Sequence, residues 1–125
     1  MIGNLEVSPA AVYGEGLAAG SLRYQRCGSC GRAVFYPRVG CPHCGSAHLA
    51  WETSAGSGTV YSTTTIRSRS GDYNVALIDL DEGYRMMCTV RDDIAGDPRI
   101  GDRVVAVVPP GTTAETLSFR RTEQP

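Results

Sequence analysis

The chain contains no lysine, and all twelve of its basic residues are arginine. That excludes Schiff-base chemistry and a lysine general base in this polypeptide. A basic block is also missing: the net charge of −1 is spread along 125 residues, unlike the electrostatic footprint of a phosphate-backbone binder. No apolar run approaches the roughly 20 residues that a membrane helix needs. The opening Met1-Ile-Gly-Asn-Leu-Glu6 has neither a positive n-region nor an apolar h-region, so no secretory signal is expected and the protein is expected in the cytoplasm. What remains is a soluble composition, 42% apolar and 20% charged, with room for one ordinary domain or two very small ones.

Five cysteines are poor disulfide material in a reducing compartment, and four of them fall into two close pairs. Cys27-Gly-Ser-Cys30 and Cys41-Pro-His-Cys44 are C-x2-C knuckles, each followed by glycine, Gly31 and Gly45. A turn of this kind points both sulfurs at one spot, and two such turns supply four thiolates in a tetrahedron around Zn²⁺. The intervening Gly31 to Gly40 suits a short hairpin whose strand-like part is Ala33-Val-Phe-Tyr36, as in a zinc ribbon. The competing readings are a thioredoxin-like redox pair and an iron site of rubredoxin type. Four cysteines close the coordination sphere, so the metal is expected to be structural. His43 and His48 are read as surface residues or as donors to the ligands, and Cys88 as a core residue without a catalytic partner.

Before the ribbon, Ser8-Pro9 and Gly20 bracket one short helix with Val12, Tyr13 and Leu17 on its apolar face. Gly14 and Gly16 weaken it by roughly 1 kcal/mol each, so it must lean on its own ribbon or on a partner protein. After the ribbon, Leu49 to Thr53 reads as a connecting strand and Ser54 to Gly58 as a turn. Strand-like segments follow at 59–67, 73–80, 84–90, 103–108 and 115–121, broken by Gly-, Asp- and Pro-rich turns, with Glu82-Gly83 fit for a tight hairpin. The second of them, Val75-Ala-Leu-Ile-Asp-Leu80, barely alternates, which predicts a strand buried on both faces. The fold expected is mainly β: a helix and rubredoxin-like ribbon over residues 1–50, then a five-stranded OB-fold barrel over 51–125, with a small sandwich as the alternative.

Three blocks carry a more specific signal: Tyr13-Gly-Glu-Gly-Leu17 with Gly20-Ser-Leu-Arg-Tyr-Gln-Arg-Cys27, Tyr36-Pro-Arg38 before the second knuckle, and Gly56-Ser-Gly-Thr-Val-Tyr-Ser62 with Ala76 to Gly83 and Arg99-Ile-Gly-Asp-Arg-Val104. With them the chain resembles a bacterial and archaeal family that joins a rubredoxin-like zinc ribbon to an OB-fold, often encoded beside thiolases. The resemblance implies a non-catalytic accessory subunit that docks on a thiolase-fold dimer (a thiolase, acyltransferase or aldolase) and helps shape the CoA entrance. Arg32 and Arg38 on the ribbon hairpin are the candidates for meeting a CoA phosphate, since arginine presents a flat bidentate fork. Two rival classes stand beside this reading. One is a single-stranded nucleic-acid-binding module stacking bases on Tyr61, Tyr73, Tyr84 and Phe119, opposed by acidic turns at 79–82 and 92–93. The other is a self-sufficient enzyme using zinc as a Lewis acid, which requires an exchangeable ligand position.

Overall fold

A computed structural model describes residues 8–122, so the Met1 to Glu6 segment read for a signal sequence lies outside the described residues. The chain divides into two compact units. One holds the described residues up to Ala55 together with Val108–Thr116, and the other holds Gly56–Val107 and the described residues from Leu117 on.

In the first unit, α1 runs Pro9–Ala18. Ser8 caps it, its hydroxyl accepting from the Ala11 amide at 3.1 Å, an arrangement worth about 1 kcal/mol. At the other end Ser21 N–H returns to Gly16 O, Gly20 takes a φ of +93°, and Gly111 N–H closes the orphan carbonyl of Ala18 at 2.8 Å. The helix leans on its own ribbon. Leu17 is fully buried, Tyr13 meets Phe35 edge-on at 5.4 Å, and the Arg23 guanidinium donates to Val12 O. Gly16 has a structural reason that Gly14 lacks: a Cβ there would lie 2.6 Å from the Arg23 side chain, whereas nothing lies within 4 Å of one at Gly14.

The ribbon sheet has the order β2-β1-β3, all antiparallel, with β1 at Arg23–Cys27, β2 at Ala33–Val34 and β3 at Leu49–Thr53. The hairpin strand expected to reach Tyr36 stops at Val34, after which the chain turns away. The connecting segment 49–53 is a full strand, pairing Arg23↔Thr53 through Cys27↔Leu49. The central strand β1 carries no apolar pattern, because its buried positions are filled by polar-tipped side chains that find partners. Tyr24 donates its hydroxyl to Glu52 at 2.6 Å, and Gln25 bonds to Arg38.

The second unit is a closed barrel of order β4-β5-β6-β8-β7, with β4 at Ser57–Ile66, β5 at Tyr73–Leu80, β6 at Arg85–Val90, β7 at Arg103–Val107 and β8 at Ser118–Arg121. The β6–β8 pairing is parallel and the others are antiparallel, which gives the OB-fold and rules out the sandwich. Strand β4 serves two neighbours and bends at a bulge between Val60 and Ser62, pairing with β5 from Gly58 to Ile66 and with β7 over Ser57 to Thr59. Gly58 permits that crossing, since a Cβ there would stand 2.6 Å from Asp79 O. At Asp81-Glu82-Gly83 the expected hairpin forms, with Leu80 N–H on Tyr84 O and Gly83 at φ +104°. The barrel interior is closed by Val60, Ile78, Met86, Val104 and Phe119.

One expectation about this barrel fails. Strand β5 is buried on one face only: Ala76, Ile78 and Leu80 point inward, while Val75, Leu77 and Asp79 stay half-exposed. A barrel wall this thin has an inside and an outside, and the outer row of β5 stays half-exposed.

Candidate metal centre

The two knuckles repeat one backbone design. In the first, Cys27 N–H donates to Arg32 O and Gly31 N–H returns to Cys27 O; in the second, Cys41 N–H donates to Ser46 O and Gly45 N–H returns to Cys41 O, all at 2.8–2.9 Å. Gly31 and Gly45 sit at φ +78° and +82°, which a side chain would resist. A hydrogen bond between the hydroxyls of Ser29 and Ser46, 2.9 Å long, joins the knuckles to each other. The sequence reading missed this serine pair, and no spacing signal marks it.

The folded turns bring all four sulfurs within 4.8 Å of one another. The Cys27–Cys44 and Cys30–Cys41 separations are 3.6 and 3.7 Å, close to the roughly 3.8 Å edge of a tetrahedron with zinc–sulfur bonds of about 2.3 Å. Cys27 and Cys41 are buried beside Val34 and Leu49, whereas Cys30 and Cys44 are exposed. Amides of Cys30 and His43 point at the Cys27 and Cys41 sulfurs, at 3.4 and 3.3 Å. The Cys30 amide leads in holding the Cys27 thiol down at about 6, against the cost of burial. For Cys44 the Ser46 amide favours the thiolate, but the neighbouring Cys27 sulfur, burial and the other two sulfurs together push it up to about 11. Four thiols this close cannot all ionise unless a cation shares their charge, so the donor set fits a soft divalent metal.

Neither histidine joins the sulfur cluster. His43 is exposed and accepts from the Arg32 guanidinium through Nδ1 at 3.3 Å, and His48 contributes its backbone, its carbonyl taking Gly28 N–H. Cys88 is half-buried in the barrel, its thiol donating to Leu117 O at 3.2 Å, and burial pushes its pKa up; it is not an activated nucleophile.

Arg32 and Arg38 are both exposed on the ribbon. Arg38 has a fixed backbone: the carboxamide of Gln25, itself buried, donates to Arg38 O at 2.8 Å and accepts from Arg38 N–H at 2.7 Å. Its guanidinium has no partner among the described residues. Of the four aromatic residues weighed for base stacking, Tyr84 and Phe119 are in the barrel core and the Arg85 guanidinium lies 3.5 Å over the ring of Tyr61. Tyr73 is about half exposed, at 54%. Among the described residues no helix is long and apolar enough to cross a membrane.

The chain matches two family profiles: the ChsH2 rubredoxin-like zinc ribbon domain over residues 15–50 and the ChsH2 C-terminal OB-fold domain over residues 51–108. No curated protein matches it. Among solved structures it is similar to a chain of the "Ltp2-ChsH2(DUF35) aldolase", with 30% identity and a TM-score of 0.72 over 90% of this chain and 94% of that one. A DUF35-family protein of unknown function from Sulfolobus solfataricus shares the fold, with a TM-score of 0.70 at 18% identity over 97% and 92% of the two chains. With a four-sulfur ribbon, a closed five-stranded barrel and these matches in one polypeptide, the chain belongs to the ChsH2 (DUF35) family of zinc-ribbon and OB-fold proteins.

Proposed function

We propose that this protein is a zinc-binding, non-catalytic accessory subunit of a thiolase-fold acyl-CoA enzyme in the cytoplasm, assembling with a dimer of that enzyme and supporting its CoA-substrate binding. The observation that carries the reading is the 30% identity, spread over 90% of the chain, to a chain of an Ltp2-ChsH2(DUF35) aldolase. Zinc is held by Cys27, Cys30, Cys41 and Cys44 in this reading, and its task is to hold the ribbon in shape, since four thiolates leave no position for substrate.

The chemistry of the chain agrees. Making or breaking a carbon–carbon bond next to a thioester needs a nucleophile or base and a site for the developing oxyanion. Here four thiols converge on one point, the fifth donates to a carbonyl, and lysine is absent. The reacting groups therefore belong to the partner. Arg32 and Arg38 offer exposed guanidiniums on a metal-braced hairpin, suited to a CoA phosphate at the shared boundary.

Co-expression with a thiolase-fold protein from the same genome tests this. The two chains are expected to co-purify in fixed stoichiometry, the complex to turn over an acyl-CoA, and the isolated subunit to turn over none. Turnover by the isolated chain, or no association with any thiolase-fold protein, overturns the proposal.

A further inference from the structure

The four sulfurs of the ribbon are alike in chemistry and unlike in protection. In each knuckle the first cysteine is buried and the second is exposed: Cys27 and Cys41 keep 1% and 4% of their surface, while Cys30 and Cys44 reach solvent. The buried pair also receives backbone amides, from Cys30 onto the Cys27 sulfur at 3.4 Å and from His43 onto the Cys41 sulfur at 3.3 Å. The Ser46 amide attends Cys44. Among the described residues no amide donates to Cys30 Sγ, and the Cys41 sulfur of the opposite knuckle lies 3.7 Å from it.

These differences bear on reactivity. A cysteine that serves as a metal ligand is a thiolate, the form that attacks oxidants, and an N–H bonded to the sulfur or a cover of apolar side chains restrains that attack. Cys30 has neither restraint. It also has what an oxidant-sensing cysteine needs beside it, a second sulfur close enough to displace hydroxide from the oxidised one. Cys88 lacks that neighbour: it sits half-buried in the barrel with its thiol on Leu117 O.

We infer that Cys30 is the site at which a peroxide-class oxidant opens this ribbon, with Cys41 as the sulfur that completes the reaction. This rests on the zinc-braced reading of the ribbon and adds how the brace is undone. The Cys30 thiolate attacks one oxygen of the peroxide, the O–O bond breaks, and sulfenic acid forms at Cys30 as hydroxide leaves. The Cys41 thiolate then attacks the Cys30 sulfur and expels a second hydroxide, leaving a Cys30–Cys41 disulfide. Two electrons have passed from two sulfurs to one peroxide, and two protons from solvent convert the hydroxides to water. Cys27 and Cys44 alone are too few to hold the metal. Arg32 and Arg38 lie on the segment between the two reacting cysteines, so oxidation alters the part of the ribbon assigned to the CoA phosphate.

The test uses the full zinc-loaded chain. Hydrogen peroxide is added while a colorimetric chelator reports released metal, and a dimedone probe traps sulfenic acid for peptide mass spectrometry. One zinc should be released per peroxide consumed, with the probe on Cys30 and, in its absence, a Cys30–Cys41 disulfide; a thiol reductant with added zinc should restore the metal content. Cys30→His keeps a nitrogen ligand but removes the exposed sulfur, so release should slow about tenfold, whereas Cys88→Ser should release like wild type. The inference is overturned if zinc stays bound in excess peroxide, if the probe falls on any cysteine other than Cys30, if the disulfide forms within one knuckle, or if Cys30→His releases zinc as fast as wild type. Should Cys30→His take up no zinc, the probe and the disulfide map on wild type decide. A wild-type chain that holds no zinc before peroxide is added sinks the metal reading itself, and that result is distinct because it precedes any oxidation.

Discussion

Arg121 closes a clamp on Asp92. Its backbone amide and Nε donate to one carboxylate oxygen at 2.8 and 3.0 Å, and its Nη2 donates to the other at 2.8 Å. The Ile94 amide supplies a fourth bond at 3.0 Å. Both side chains are largely out of water, 6% and 12% exposed, so the last barrel strand is tied to the loop that leaves β6.

The clamp predicts a pH dependence. The Arg121 guanidinium, with the amides of Arg121 and Ile94 and against the cost of burial, holds the Asp92 carboxyl down from its ordinary 3.8 to about 2. A carboxyl whose folded pKa is depressed contributes stability that is full above its unfolded value and is lost as pH falls through the folded one. The contribution is about 2 kcal/mol at neutral pH. Asp92→Asn should be about 2–3 kcal/mol less stable than wild type by urea unfolding at pH 7, because it leaves Arg121 without its charge partner. The gap should narrow between pH 4 and pH 2, and a gap independent of pH would refute the assignment.

Metal removal should act on the ribbon first. The apolar material around its sulfurs is Val34 and Leu49, too little to offset the entropy of ordering the β2-β1-β3 sheet. Binding on the order of 10 kcal/mol is expected to come from zinc. Elemental analysis should find one zinc per chain in wild type and in Cys88→Ser, and little in Cys44→Ser. Chelation should release amide protection in β1 and β3 by hydrogen exchange, and a ribbon protected equally without metal would count against the structural role.

Two glycines separate backbone need from backbone cost. Gly58→Ala drives a methyl to 2.6 Å from Asp79 O, a main-chain atom that cannot step aside, so a loss of about 2 kcal/mol or more is expected. Gly14→Ala meets nothing within 4 Å and lies inside α1, so it should gain about 1 kcal/mol. Chemical denaturation of the two variants beside wild type measures both signs, and a stabilised Gly58→Ala would contradict the close crossing of β4 and β5.

The parts of this molecule that were legible in sequence share a cause: their signal is local. Cysteine spacing and the glycines after each knuckle report a turn, Ser8-Pro9 reports a helix start, and Glu82-Gly83 reports a hairpin, each settled within a few residues. Strand β1 was not legible, because what buries Tyr24 and Gln25 is a carboxylate and a peptide group far along the chain. The two-sided burial expected for β5 fails because an apolar run records side-chain type and not direction: Ala76, Ile78 and Leu80 turn inward, while Val75 and Leu77 stay half-exposed on the other face. Periodicity could also not assign Val108–Thr116, which gathers with the first unit although it joins two barrel strands.

The hold of Gln25 on Arg38 allows the CoA assignment to be tested without touching a charge. Gln25→Met keeps the volume of the buried side chain but removes both bonds to the Arg38 backbone, so the 36–39 segment is freed while its guanidinium remains. If Arg38 meets a CoA phosphate in the assembled enzyme, Arg38→Ala should raise the KM for the acyl-CoA about tenfold, the loss of one charge-assisted contact, and leave kcat nearly unchanged. Gln25→Met should move KM in the same direction by a smaller factor, because the charge is present but no longer held in place. Arg32→Ala should act alongside Arg38→Ala, with the rise in KM shrinking at high salt as ions screen the phosphate. The comparison is made with dephospho-CoA thioesters, on which a contact to the ribose phosphate has nothing to grip. Equal KM for wild type and both arginine variants on the full CoA thioester would remove Arg32 and Arg38 from the substrate's path and leave the ribbon a purely structural part.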